Sequence, residues 1–302
     1  MNKNFADRIS DWFTRLFSDK NIHKIEVIVV VFALAGFLIH ILLIALHNNG
    51  FLVHPVFDNL SKNYISALYT PFSFLLIYEV FLFLIFLPKS FTKSIGKQYE
   101  IISLIVLRKI FKDISHFDMS HLTETIHQKS ELLIDMAGIL ILFFLIAVFY
   151  HLKKKQPNAE SCTNIKTFVS IKRMISLMLL PVLIGLALFS FGQWFWVVSN
   201  YTTIHPSEIP DINNVFYDTF FSILIYVDVF VLIISFLFTR YYSQLVRNSG
   251  FIISTILIRL SFSAPQLTNT TLILASVLFG VLILLIYNYF IKADERKDIK
   301  HN

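Results

Sequence analysis

Six apolar stretches, at 27–46, 65–87, 132–150, 174–198, 215–238 and 271–291, constrain this chain more than any other feature. Each approaches or exceeds the roughly 20 helical residues that cross a hydrocarbon core. The polar connections between apolar runs reach only about 20–25 residues, and chains below about 40 residues rarely fold unaided. A soluble catalytic domain therefore has no room, and any chemistry must use residues in or beside the membrane. The first run is too long and lacks the small-residue cleavage pattern of a signal peptide, so it reads as an uncleaved span.

Ahead of that span, Phe5, Ile9, Trp12, Phe13, Leu16 and Phe17 recur at helical spacing, with Arg8, Asp11, Arg15 and Asp19 interleaved. This pattern predicts an amphipathic helix over residues 1–25 that lies in the cytoplasmic interface. Two further apolar segments are short. Residues 101–107 lie between Lys97, Glu100, Arg108 and Lys109, and 251–258 between Arg247 and Arg259.

Charge decides whether these two segments cross. If both do, the cytoplasmic side carries 20 Lys and Arg and the outer side 6; if both lie flat, the split weakens to 16 against 10. Basic residues concentrate on the cytoplasmic side, so eight crossings with both termini inside fit better. The net charge of +6 then records topology. Nucleic-acid binding would want a basic face interleaved with aromatics, which is missing. The expected setting is the cytoplasmic membrane of a bacterium.

The two halves of the chain are alike. Ile101–Arg108 matches Ile252–Arg259 at five of eight positions, at an offset of 151. At an offset of 149, Gly36 aligns with Gly185, Ser73 with Ser222, Glu79 with Asp228, Val80 with Val229 and Phe81 with Phe230. His54-Pro55 and His205-Pro206 recur in the outer loops, and 138–142 matches 280–284. The expected fold is an all-α membrane bundle of two tandem four-helix repeats, 26–152 and 174–292. A basic cytoplasmic linker, 153–173, joins them, and a charged tail, 293–302, follows. Units with an even number of crossings insert in the same orientation, so a pseudo-twofold axis should run along the membrane normal, with the site at the repeat interface.

Few charges fall inside the apolar runs, and a charge at the bilayer centre costs about 2.5–3.5 kcal/mol on insertion scales. Glu79 and Asp228 lie deep in long spans, whereas Asp135 and Asp218 lie within a turn of outer ends. Counting residues at about 1.5 Å each puts Glu79 and Arg108 at similar depth, and likewise Asp228 and Arg259. Two readings stand side by side: the pairs line a polar pathway or substrate site, or they lock neighbouring helices, since breaking a buried pair costs about 3–5 kcal/mol. Ser103 and Ser254, five residues before each Arg, would line the same site or hydrogen-bond across helices. One Arg per short helix is too few for a voltage sensor.

The eight-helix topology puts His47, His54, His116, His121, His127 and His205 on the outer face, with His40 just inside the first span. Imidazole suits zinc, copper and iron, so an outer metal or haem site is conceivable, although the spacings match no ligand pattern. The single cysteine, Cys162, excludes an intrachain disulfide. No hydrolase, phosphate-loop, zincin or dinucleotide motif occurs. The leading expectation is a transporter or channel for a small solute or ion, its path lined by the acid–Arg pairs. The alternatives are a non-transporting membrane scaffold or accessory subunit and a metal or redox protein. Beyond the lipid bilayer, the expected partners are the solute and either a second copy or an accessory protein.

Overall fold

The computed structural model describes residues 3–51, 64–115, 125–154, 165–199, 212–239, 241–264 and 266–301. All regular structure among them is helical: α1 (Lys3–Leu16), α2 (Asp19–Asn48), a 3-10 turn (Tyr64–Leu68), α3 (Tyr69–Phe86), α4 (Phe91–Ser115), α5 (Thr125–Lys154), α6 (Ile165–Ser199), α7 (Ile212–Phe238), α8 (Tyr242–Ser261) and α9 (Gln266–His301). Lipid offers no partner for backbone N–H and C=O groups, so a spanning segment must satisfy them internally, and a helix does. Among the described residues, five helical stretches are long and apolar enough to cross: Asp7–Asn48, Leu132–Lys154, Lys166–Phe189, Thr219–Phe238 and Thr268–Ala293. This is the make-up of a polytopic membrane protein.

Local signals set the helix boundaries. The Ser18 hydroxyl accepts from the Asn21 N–H and caps α2, with Asp19 in the first turn favouring the positive end of the helix dipole. Gly50, at φ 76°, ends the turn that follows α2. Pro181 sits inside α6 without interrupting it, as membrane helices tolerate.

Within residues 19–154, α2 packs on α3, α3 on α4 and α4 on α5. Within 165–301 the same order recurs, α6 on α7, α7 on α8 and α8 on α9. The two sets meet where α4 packs on α8, α5 on α9 and α3 on α6. The two helices with the least continuous apolar sequence, α4 and α8, are the most enclosed. From α4, Ile95, Tyr99, Ile102 and Ile105 join the core, and from α8 Phe251, Ile252 and Ile258. Polar groups are buried alongside them: Gln98, Ser103 and Arg108 on α4; Gln244, Asn248, Ser254, Thr255 and Arg259 on α8.

Most of the large apolar residues left exposed lie on the flanking helices, with Leu104 of α4 and Ile253 and Leu260 of α8 among the exceptions. Val31, Phe32, Leu34, Leu38 and Leu42 line α2, and Tyr226, Phe230, Ile233 and Leu237 line α7. With hydrocarbon outside, such residues need no burial, and association rests on close packing and interhelical hydrogen bonds. Gly280 shows how close: a Cβ there would run into the Tyr99 hydroxyl.

The N-terminal helix sits against the bundle. Phe13 and Phe17 of the α1 segment pack with Ile85 at the end of α3. Arg173 of α6 bonds the Ser10 hydroxyl and lies 5.6 Å from the centre of the Phe13 ring. Trp12 stays exposed.

Candidate functional site

The two short polar-flanked segments become full helices, and the four charged residues singled out by position pair as their matching depths predict. Arg108 of α4 reaches Glu79 of α3, with Nη1 3.7 Å from Oε2. Arg259 of α8 reaches Asp228 of α7 through a hydrogen bond from Nη1 to Oδ2. All four residues are buried, none more than 6% exposed. Burial strips charges of hydration, so each needs its partner.

The pairs differ in what surrounds them. Asp228 Oδ2 also accepts from the Thr255 hydroxyl at 3.0 Å, and Arg259 Nη2 donates to Gln98 Oε1 on α4 at 3.3 Å. Asp228, Thr255, Arg259 and Gln98 form one network that joins the two sets of helices. Beside it, the Tyr99 hydroxyl lies 2.7 Å from Ser254 Oγ, which donates to the Ser276 carbonyl on α9 at 2.7 Å. Glu79 Oε2 has no hydrogen-bond partner among the described residues.

Ser254 thus bonds across helices, whereas Ser103 bonds the Glu100 carbonyl of its own helix at 2.7 Å. The structure brings Ser254 into the inter-helical seam and leaves Ser103 outside the ion-pair networks.

A third charged contact departs from the sequence reading. Asp135, which looked like an outer-end residue needing no partner, is only 1% exposed. Its Oδ2 lies 3.2 Å from Lys109 Nζ, and its Oδ1 accepts from Thr270 Oγ1 of α9 at 2.5 Å. Arg108 and Lys109 are consecutive on α4, so their side chains leave the helix about 100° apart. One addresses α3 and the other α5. Lys109 had been read as a flank that marks the outer end of a short span. Gln98 and Tyr99, which lie between the named flanks Lys97 and Glu100, were not singled out by the sequence reading. The available signal was a density of polar residues on a helix that must still be enclosed.

Among the described residues no group of three or more His, Cys, Asp or Glu side chains stands together in a way that holds a metal. His40 Nδ1 lies 2.5 Å from Thr70 Oγ1 of α3, and His47 ends α2. His54, His116, His121 and His205 lie outside the described residues, as does the side chain of His127. Tyr226, two residues before Asp228, is 75% exposed and faces outward.

Chemically, the arrangement holds compensated charge in the bundle interior. Each guanidinium is a fixed cation, and each carboxylate can change its charge by taking a proton. No protein-family model, no curated protein and no solved structure matches the chain.

Proposed function

We propose that this protein is a membrane transporter for a small solute or ion, with its polar site along the seam of α4 and α8. In this reading residues 26–152 and 174–292 are parallel four-helix repeats, eight helices cross the cytoplasmic membrane, and both termini are inside. The recurrence of the packing order in the two sets supports the repeat, as do the α4–α8 and α5–α9 contacts, which a twofold axis along the membrane normal would generate. The observation that carries the function is the placement of two acid–Arg pairs, Glu79–Arg108 and Asp228–Arg259, inside the bundle at corresponding positions. Ionisable residues within a membrane bundle by default mark ion or substrate pathways.

A second reading has its own support. Burial of all four residues and the hydrogen-bonded closure of Asp228–Arg259 are what a helix lock requires. On that reading the protein is a scaffold or accessory subunit, and the basic linker 153–173 is its docking surface. Reconstitution in liposomes separates the two. Transport predicts that Glu79→Gln keeps a monodisperse, folded protein and loses flux; the scaffold reading predicts no flux in the parent protein and only a loss of folded yield in the variant.

A further inference from the structure

Helix α4 is enclosed around most of its circumference and open along one line. From Phe91 to Leu107, the residues that reach the surface are Lys93, Lys97, Glu100, Leu104 and Leu107; every other residue in that stretch is buried. Spacings of three and four put all five on one helix face. Because α4 packs against both α3 and α5, the line is the floor of a groove. On the α3 side, Lys97 Nζ lies 5.6 Å from the centre of the Phe86 ring. On the α5 side, the Tyr150 hydroxyl donates to Glu100 Oε1.

The groove has a charged end and an apolar end. At the charged end, Lys97 Nζ donates to Glu100 Oε2 at 2.6 Å, and Lys153 Nζ sits 4.7 Å from the centre of the Tyr150 ring. The charged groups that act on Lys153 are Lys93, Lys97 and Glu100. Three ammonium groups thus gather around one carboxylate, with positive charge in excess. Lysines that only mark a membrane face would swing apart into water. Here Glu100 and the two rings hold Lys97 and Lys153 towards the same place. At the apolar end, Leu104 is 45% exposed, and so is Phe143 of α5 at 43%. Phe143 lies seven residues before Tyr150 and so shares its helix face. The contacts Glu100–Tyr150 and Lys109–Asp135 fix the register of α4 on α5, and Leu104 and Phe143 both fall between them. The apolar stretch of α5 ends at Lys154, so the lysines lie where hydrocarbon gives way to headgroups.

We propose that this groove binds one anionic phospholipid, with its phosphate among Lys93, Lys97 and Lys153 and an acyl chain over Leu104 and Phe143. Lysine binds phosphate as a point charge, and basic pockets between membrane helices take anionic lipid headgroups. A zwitterionic lipid brings its own cation into a cluster that is already positive, and is disfavoured. The site depends on α5 ending at the membrane surface and not on transport.

The test is native mass spectrometry of the full chain in detergent, titrated with phosphatidylglycerol or with phosphatidylcholine of the same acyl chains. Phosphatidylglycerol is expected to bind roughly 25-fold more tightly, at about fivefold for each of two excess charges. Lys97→Gln with Lys153→Gln should abolish most of that preference. Lys20→Gln with Lys24→Gln removes the same charge from exposed positions on α2 and should leave it unchanged. Gel filtration establishes that the variants are folded, and the comparison of the two lipids on the parent protein stands without them. Equal binding of both lipids overturns the proposal, as does an equal loss in the two double variants, which would mean diffuse surface charge. Millimolar inorganic phosphate should not displace the lipid; if it does, the groove is a site for free phosphate and the lipid assignment falls.

Discussion

Asp228→Asn removes one charge from the hydrogen-bonded network and leaves its shape nearly intact. The amide oxygen still accepts from Thr255, 3.0 Å away in the parent protein. The charge-assisted bond from Arg259 is lost, worth about 1.5–3 kcal/mol. Arg259, only 3% exposed, then keeps its charge with Gln98 Oε1 at 3.3 Å as its remaining contact in the network. Stranding a buried charge brings the total to about 3–5 kcal/mol. Glu79→Gln should cost less. Its Oε2 makes no hydrogen bond among the described residues, so only the screened attraction to Arg108 at 3.7 Å is lost. That attraction is about 4 kcal/mol at an effective dielectric of about 20. Relief of the carboxylate's own burial offsets much of it, leaving a net cost of about 1–2 kcal/mol. Equilibrium unfolding in mixed detergent and SDS reads both variants on one scale. The expected order is Asp228→Asn well below Glu79→Gln, with Asp228→Leu plus Arg259→Leu recovering much of the loss, because apolar residues can replace a buried pair at little cost. Equal losses within about 0.5 kcal/mol, or a larger loss for Glu79→Gln, would refute the distinction between a completed and an incomplete pair.

Four other outcomes follow from the geometry. Gly280→Ala puts a Cβ against the Tyr99 hydroxyl and 3.1 Å from Ser254 Oγ; thermal unfolding should show a loss of about 1–3 kcal/mol from overpacking, part of it recovered in a Tyr99→Phe background. Asp135→Asn removes the acid that faces Lys109, but the Lys109 side chain is 28% exposed, so the loss should be nearer about 1–2 kcal/mol than that of a fully enclosed pair; a double-mutant cycle with Lys109→Met reads the coupling. Leu34→Arg places a charge on the exposed face of α2 near its middle, at about 2.5–3.5 kcal/mol on insertion scales, and should lower the yield in the membrane fraction. Cys162 is the single cysteine, so a membrane-impermeant maleimide should label inside-out vesicles and spare right-side-out cells if the basic linker is cytoplasmic.

How much was legible beforehand depended on whether the signal was local. Runs of apolar residues located α2, α3, α5, α6, α7 and α9 because lipid-facing and core-facing residues are both hydrophobic in a membrane protein. The same logic under-read α4 and α8. The segments 101–107 and 251–258 looked short, whereas the helices run from Phe91 to Ser115 and from Tyr242 to Ser261. Their polar ends are enclosed by other helices, so a test that rewards contact with lipid misses them. Matching Glu79 to Asp228 and Arg108 to Arg259 by position identified both ion pairs. Matching was blind to Gln98, Tyr99, Thr255 and Asp135, whose roles exist only in contacts between helices.

Arg108 and Lys109 set a mechanical condition on any motion of this bundle. Because they reach acids on two different neighbours, α3 and α5, about 100° apart around α4, turning that helix about its own axis would disturb both contacts at once. Helix α4 behaves like a keyed shaft, and α3, α4 and α5 are obliged to tilt or slide as one block.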